Sequence, residues 1–319
     1  MQHLVLVDGH HLMYRAYYAI PKTLRTKAGE QTNAVFGVAS MILAILKAEH
    51  PDAILFCFDK GEETFRHKEH KEYKEGRAET PDDFYMQIPR ILDLLQAFTI
   101  PHVSDERYEA DDFLGSYARQ AEEKGMRVTV VTGDRDAFQL ASGQTRVAIP
   151  HSGYQKAEYL GPAEILAKYG ITPAQVTSYK GLTGDNSDNL AGVHGIGPKT
   201  AAALIQKYDS LKGIYEHLAE IAPTTRMKLE RDQEQAFFCQ RLATLLFDIH
   251  LPISLHDLSV KEFPTAAILA FFQECEFTVL AKRLQNLIVS DAYFKTHFAQ
   301  VGSVVSGSKA GTSQLSLFV

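Results

Sequence analysis

The sequence predicts an α/β protein, a mostly parallel sheet with flanking helices, joined to a helical second unit. Three observations carry this. Short apolar runs alternate with helical patterns through the first half of the chain. From Gly161-Pro162 onward nearly every periodic stretch is helical. The 319 residues, 45% of them hydrophobic and 23% charged, suffice for about two globular units with sizeable cores.

Residues 3–7 form an apolar run that ends at Asp8, a strand followed by a turn. Residues 33–49 carry apolar side chains at helical spacing, with Pro51 just beyond. Residues 53–58 read as a second buried strand ending at Asp59, followed by a highly charged stretch over 60–80. A helix with an Asp-rich first turn is expected over 81–98, a short strand over 100–103, and a helix over 109–124 capped by Gly125. The run 126–131 is a third clear strand, leading into Thr132-Gly133-Asp134, and 146–149 a further one. Helices are then expected over 163–168, 173–181, 199–208, 224–247 and 265–287, the last broken near Glu276. The expected organisation is an α/β domain over 1–161, a helical domain over 162–290 and a tail over 291–319. After about Gly302 the tail has the Gly, Ser and Thr composition of a flexible linker.

Composition excludes several classes. The longest apolar stretch, 34–46, is too short to span a bilayer. The opening residues lack a basic segment and Asp8 interrupts their apolar run, against a signal peptide. The 3 cysteines lie far apart with no C-x-x-C, so neither a disulfide framework nor a zinc site is expected, and a reducing cytoplasm fits best. A net charge of -6 argues weakly against nucleic acid as a partner, unless the acids are concentrated at a metal site where cations cancel them.

The acids are so concentrated. Asp8 and Asp59 each follow an apolar strand, and Asp134 and Asp136 follow a third. The carboxyl ends of such strands border the ligand crevice of an open α/β sheet. Glu109, Asp111 and Asp112 open a helix, and Asp185 and Asp188 sit three apart in Thr183-Gly184-Asp185-Asn186-Ser187-Asp188-Asn189. Any one of these alone reads as a turn or capping residue. Together they form a cluster in which two carboxylates ~5 Å apart would repel by about 3 kcal/mol at an effective dielectric of 20. Such a cluster persists only if protonated or neutralised by cations, and oxygen ligands alone select Mg²⁺ or Mn²⁺. The chemistry this points to is metal-dependent phosphodiester hydrolysis without a protein nucleophile.

Gly192-Val193-His194-Gly195-Ile196-Gly197-Pro198-Lys199-Thr200 is neither a P-loop nor a dinucleotide fingerprint, because Pro198 interrupts it and no strand leads in. Pro198 suits a helix's first turn, and glycines let a phosphate approach the free N–H groups there. The stretch reads as a helix-hairpin-helix that grips DNA phosphates without reading sequence.

In order along the chain, Val7-Asp8-Gly9-His10, Phe58-Asp59, Tyr108-Glu109-Ala110-Asp111-Asp112, Thr132-Gly133-Asp134-Arg135-Asp136, the Asp185–Asp188 segment and the glycine hairpin resemble the bacterial 5′-nuclease (flap endonuclease) family. That family includes the 5′–3′ exonuclease domain of bacterial DNA polymerase I. The resemblance covers about residues 1–290. It implies a resolvase-like or PIN-like nuclease core followed by a helical DNA-binding domain. It implies a first metal held by Asp8, Asp59, Glu109, Asp111 and Asp112, directly or through water, and a second by Asp134, Asp136, Asp185 and Asp188. The ions would be two Mg²⁺, with Mn²⁺ able to substitute. Residues 60–85 would form a helical arch for the 5′ single strand, in which Arg66, Tyr73, Lys74 and Arg77 match the family pattern and Lys74 approaches the scissile phosphate. Arg15 matches a basic residue near the active site. Gly192, Gly195, Ile196, Gly197, Lys199 and Thr200 would hold the downstream duplex, with K⁺ at the hairpin. Ala191 stands where a proline is usual, and His194 where a basic residue is usual.

The implied activity is structure-specific 5′–3′ exonuclease and flap endonuclease cleavage of DNA and RNA primers, in Okazaki-fragment processing and repair. No polymerase follows, and Gln314-Leu315-Ser316-Leu317-Phe318 resembles the bacterial sliding-clamp-binding peptide. Gln314, Leu315, Leu317 and Phe318 would dock there, favouring a stand-alone, clamp-tethered, monomeric nuclease of the cytoplasm and nucleoid. The competing readings are a non-catalytic scaffold for branched DNA and a small ribonuclease. The intact acids oppose the first, and the hairpin and arch oppose the second.

Overall fold

The computed structural model describes residues 2–60, 64–76 and 79–298. At its centre is a six-stranded sheet in the order β3-β2-β1-β4-β5-β6. The strands are β1 (His3–Asp8), β2 (Ala53–Cys57), β3 (His102–Val103), β4 (Arg127–Val131), β5 (Thr145–His151) and β6 (Gly153–Leu160). The first five are parallel, and β6 returns antiparallel to β5. Successive side chains of a strand point to opposite faces, so each central strand feeds two cores. Val5, Val7, Ile54 and Phe56 enter one, whereas Leu4, Leu6, Leu55 and Cys57 enter the other. Burial on both faces is why these strands are continuous apolar runs rather than alternating ones.

The helices of the first half are α1 (Gly9–Ala19), α2 (Asn33–Glu49), α3 (Phe65–Glu69), α4 (Asp82–Tyr85), α5 (Ile88–Ala97) and α6 (Ala110–Glu123). The second half adds α7 (Pro162–Tyr169), α8 (Val176–Thr183), α9 (Pro198–Tyr208), α10 (Leu211–Glu216), α11 (Pro223–Arg231), α12 (Gln233–Leu242), α13 (Thr265–Glu274), α14 (Thr278–Ser290) and α15 (Ala292–His297). Among the described residues no helix is long and apolar enough to cross a membrane.

Packing divides these helices by sheet face. α6 and the buried residues of α7 to α11 extend one core. α1, α2 and α5 line the other, and α13 to α15 return to cover it. The helical second half expected over 162–290 is therefore split between the two faces. The reason is α2, which is apolar nearly all round and needs a second layer over it. Phe277 meets Phe36 edge to face at 5.2 Å, and Phe272 packs 6.1 Å from Phe98. The expected tail also starts differently. Its first residues form α15, with Tyr293 and Phe294 buried and the Tyr293 hydroxyl donating to the Pro51 carbonyl at 2.8 Å. The linker and clamp peptide lie outside the described residues.

Other departures have local causes. Asp8 is followed by α1 rather than a turn, because its side chain accepts from His11 N–H at 2.9 Å and caps the helix. The helix expected over 81–98 is two helices. Pro89 sits in the first turn of α5, and the buried Gln87 side chain leaves the break to accept from Ala34 N–H at 2.8 Å. The helix expected over 224–247 breaks at Asp232, whose carboxylate accepts from His194 N–H at 2.8 Å, and ends at Leu242.

Candidate metal centre and nucleic-acid interface

Parallel pairing brings the carboxyl ends of β1, β2 and β4 to one edge, and the acids follow. Asp8 accepts from His11 N–H and, at 2.8 Å, from the Thr132 hydroxyl beyond β4. Asp59 accepts from Ala110 N–H at 2.7 Å, joining the end of β2 to the start of α6. Glu109 caps α6, and Asp111 projects from its first turn with a buried Oδ1 that has no hydrogen-bond partner among the described residues. Beyond β4, Asp136 N–H donates to Asp134 at 2.9 Å. Asp136, Asp185 and Asp188 each bring a carboxylate oxygen within 4.8 Å of the others.

The electrostatics show how crowded the edge is. Burial, together with Asp59 and Asp134, pushes the Asp8 carboxyl up to about 7 against its two hydrogen bonds. Burial and the charges of Asp134, Asp8 and Asp59 push Asp111 well above the carboxylate range. Asp134 is raised by burial and by Asp188 and Asp185, with Lys180 pulling the other way. Asp185 is lowered, because Lys180 and hydrogen bonds from Ser187 outweigh its burial. These donors fit hard divalent cations: all are oxygens, several resist ionising together, and one buried oxygen is unpartnered. Asp8, Asp59, Glu109 and Asp111 make up a first acid group along this edge and Asp134, Asp136, Asp185 and Asp188 a second, and among the described residues only Asp136, Asp185 and Asp188 meet at ligand-sharing distance.

Asp112, expected among the ligands directly or through water, is engaged by protein partners. Both its oxygens are taken by the Arg66 guanidinium at 2.8 Å, and further accepted hydrogen bonds come from Glu109 N–H at 3.2 Å and Leu246 N–H at 3.0 Å. A carboxylate so enclosed is an anchor. Arg66, expected to touch DNA, is enclosed with it. It is 1% exposed and also donates to the carbonyls of Leu242 at 2.9 Å and Thr244 at 3.1 Å. It pins α3 to α6 and to the end of α12.

Tyr73 is likewise buried, and its hydroxyl bridges the two acid groups, donating to Asp188 at 2.8 Å with Glu109 at 3.2 Å. Burial and those two charges raise its pKa, so it stays a neutral donor. Lys74, with a left-handed φ of 59°, sets its ammonium 3.0 Å from Glu109, beside the first group. Its backbone N–H donates to the Asp188 carbonyl at 3.0 Å, and Asn189 donates to the Glu72 carbonyl at 2.8 Å, so the 72–74 turn is stapled to the acidic loop. Arg15 lies one helical turn beyond His11 on α1 and donates to the His151 carbonyl. Arg77 lies outside the described residues.

Lys180 and His11 are residues that sequence reasoning missed. Lys180 on α8 ion-pairs with both Asp136 and Asp185. Its signal was available, since Lys180 and Asp185 lie five apart in one segment. His11 lines the groove beside Asp134, where its ring packs against Gly133.

That groove, of about 710 Å³, runs from Asp134, Asp136 and Asp185 to Ile196, Gly197 and Pro198 at the start of α9. The hairpin residues divide into supports and an exposed end. Gly192 lies against the backbone of Gly184, where a Cβ would come within 2.2 Å of the Gly184 nitrogen, so its glycine is needed for packing. Ile196, 5% exposed, packs its side chain into the core beneath the hairpin. Gly195 has a φ of +83°, which favours glycine. Gly197, Lys199 and Thr200 are exposed at the α9 N-terminus.

The fold and its acid edge define a metal-binding nuclease class. The T5 5′-exonuclease with bound zinc superposes with a TM-score of 0.65 at 19% identity, over 89% of this chain and 99% of that one. The catalytic core of Rad2 in complex with DNA substrate gives 0.56 at 17% identity, over 90% and 92%. Family models for the 5′-3′ exonuclease match throughout most of the chain: the N-terminal resolvase-like domain over residues 3–170 and the C-terminal SAM fold over 171–266. The chain belongs to the 5′-3′ exonuclease family. DNA polymerase I of Bacillus subtilis (strain 168) is 41% identical over 282 residues, 88% of this chain and 32% of that protein. DNA polymerase I of Chloroflexus aurantiacus is 42% identical over 289 residues, 89% and 30%. The chain thus spans about a third of the length of these curated relatives.

Proposed function

We propose that the chain is a structure-specific 5′–3′ exonuclease and flap endonuclease that hydrolyses phosphodiester bonds in DNA and RNA primers, in Okazaki-fragment processing and repair. The observation that carries this is the convergence of acids from separate segments on one sheet edge, with Asp8, Asp111 and Asp134 all pushed up and a buried Asp111 oxygen unpartnered. Asp8, Asp59, Glu109 and Asp111 would hold one Mg²⁺, and Asp134, Asp136, Asp185 and Asp188 the other. When bound, such ions neutralise phosphate charge and lower the pKa of water.

The chain's own residues do the rest. Lys74 and Arg15 offer cations to the scissile phosphate from the arch side and from α1. Tyr73 fixes the spacing of Glu109 and Asp188. The Arg66–Asp112 pair holds the base of the arch against α6. Gly197, Lys199 and Thr200 offer backbone and side-chain donors to a duplex phosphate, and the groove leads from there to the acids. The division into a nuclease unit, a DNA-binding unit and a clamp-binding tail, with cytoplasmic location and a monomeric state, belongs to the same proposal.

Cleavage of a labelled 5′-flap duplex with Mg²⁺, with EDTA and with Asp134→Asn tests it. Cutting near the junction, abolished by EDTA and severely reduced by the variant, is expected. Tight flap binding without cutting in Mg²⁺ or Mn²⁺ would sink the proposal.

A further inference from the structure

The outer face of α12 has no part in the mechanism above, yet it lies between the hairpin and the arch base. At one end the Gln235 amide donates to the Ala191 carbonyl at 3.0 Å, touching the hairpin loop. At the other, Arg241 pairs with Glu69 of α3 at 2.9 Å, and His70 meets the Phe238 ring edge to face at 5.5 Å. Between them runs an open groove of about 740 Å³ lined by Gln233, Glu234, Gln235, Phe237, Phe238 and Arg241.

Phe238 is the central feature. It is half-buried, its inner side packed on the cluster of Tyr73, Leu190, Cys239 and Leu242. Arg241 places its guanidinium carbon 5.3 Å from the ring centroid. The Arg241–Glu69 pair is solvent-exposed, with side chains 62% and 42% accessible, and such a pair contributes little by itself. The guanidinium is therefore available to a phosphate at small cost. The glutamine amides offer both donors and acceptors, which suits the edge of any base.

We propose that this face binds an unpaired nucleotide of the 5′ single strand, its base stacked on Phe238 and its phosphate near Arg241. An aromatic face gains from a base only when that base is unstacked, so duplex DNA is the wrong occupant. Stacking of this kind tolerates any sequence. The contact would link flap recognition to the arch, because the same helix carries the Leu242 carbonyl that receives Arg66. The inference rests on the flap-cleaving reading of the acid edge.

The test is fluorescence anisotropy in EDTA with nicked duplexes bearing a normal flap, an abasic flap or no flap. Phe238→Ala is expected to weaken flap binding about five- to tenfold relative to flapless duplex. An abasic flap should weaken the wild-type protein by a similar factor and leave the variant indifferent. Phe238→Trp should restore the preference. Phe238→Leu, which keeps apolar packing against Leu190 and Leu242, guards against simple misfolding and should behave like the alanine variant. Equal weakening with and without a flap, or a wild-type protein indifferent to the abasic flap, overturns the inference. In parallel, wild-type cleavage with Mg²⁺ separates the two readings: flap cutting without base dependence rejects only the α12 site, whereas no cutting rejects the nuclease reading as well.

Discussion

Both ends of the sheet bury carboxylates, with opposite results. At the amino end Glu49 is enclosed by partners: the hydroxyls of Tyr154 and Tyr159 donate at 2.7 Å, Thr129 at 3.1 Å and Arg146 at 2.9 Å. Burial would raise its pKa, but Tyr159, Tyr154 and Arg146 hold it below the usual value. At the carboxyl end Asp8, Asp111 and Asp134 are pushed up, and mostly other carboxylates surround them. Burial is common to both, so burial does not mark the functional end. The marker is a deficit of hydrogen-bond donors, which leaves the carboxyls to protonation or, in the proposed reading, to bound cations.

The sharpest way to break this comparison is at the crowded end. Asp111→Asn and Asp134→Asn should each lower flap cleavage by on the order of 10³-fold, the scale for losing a principal electrostatic group. Neither should lower the melting temperature in EDTA, because each relieves repulsion. A variant that is both inactive and destabilised would show that the acids were structurally satisfied after all. Asp112→Asn, one residue along, should behave like the satisfied end despite its location. It strands the buried Arg66 guanidinium, and urea unfolding should show a loss of about 3–5 kcal/mol. Glu49→Gln should cost about 1–3 kcal/mol, since Arg146 is partly exposed, and leave cleavage per folded molecule within about twofold.

The smallest effect is in pH. A carboxyl whose folded pKa is raised stabilises fully below its unfolded value of about 3.9, and that stability is lost as pH rises through the folded value. For Asp8 the folded value is about 7. Melting of the protein in EDTA should therefore fall as pH rises from 5 toward 8, and Mg²⁺ should restore it. Glu49 has the opposite sign: its contribution is present above its unfolded value and disappears as pH falls through the lowered folded one. Glu49→Gln should flatten the acid limb of the stability profile and leave the alkaline limb unchanged.

The crowded end was legible in the sequence because each acid follows an apolar run or opens a helix, and parallel strands carry such residues to one edge. α2 was legible to the residue, over Asn33–Glu49, because its apolar spacing and flanking Pro51 agree. The satisfied groups were not legible. Arg66 and Asp112 are 46 residues apart, and nothing local says that one guanidinium will consume both oxygens of an acid lying in a motif. Glu49 looked like the last polar residue of a helix, and its tyrosines come from β6, an edge strand too polar to be read as one. Its residues 155 and 156 are exposed, so the strand lacks the apolar run by which its neighbours were found.

The return of α13 to α15 onto the first core also sets the order of events during synthesis. The helix α2 is complete at Glu49, but α14, the late helix that packs on it, begins at Thr278. A ribosome adding about 5–20 residues per second needs roughly ten to forty-five seconds to cross that interval. Through nearly all of it Phe36 lacks its partner Phe277, and Phe98 lacks Phe272. The nascent nuclease unit thus carries a sticky, greasy flank that waits for the last helices, and a chain stopped at 266, where the family match ends, would keep it permanently.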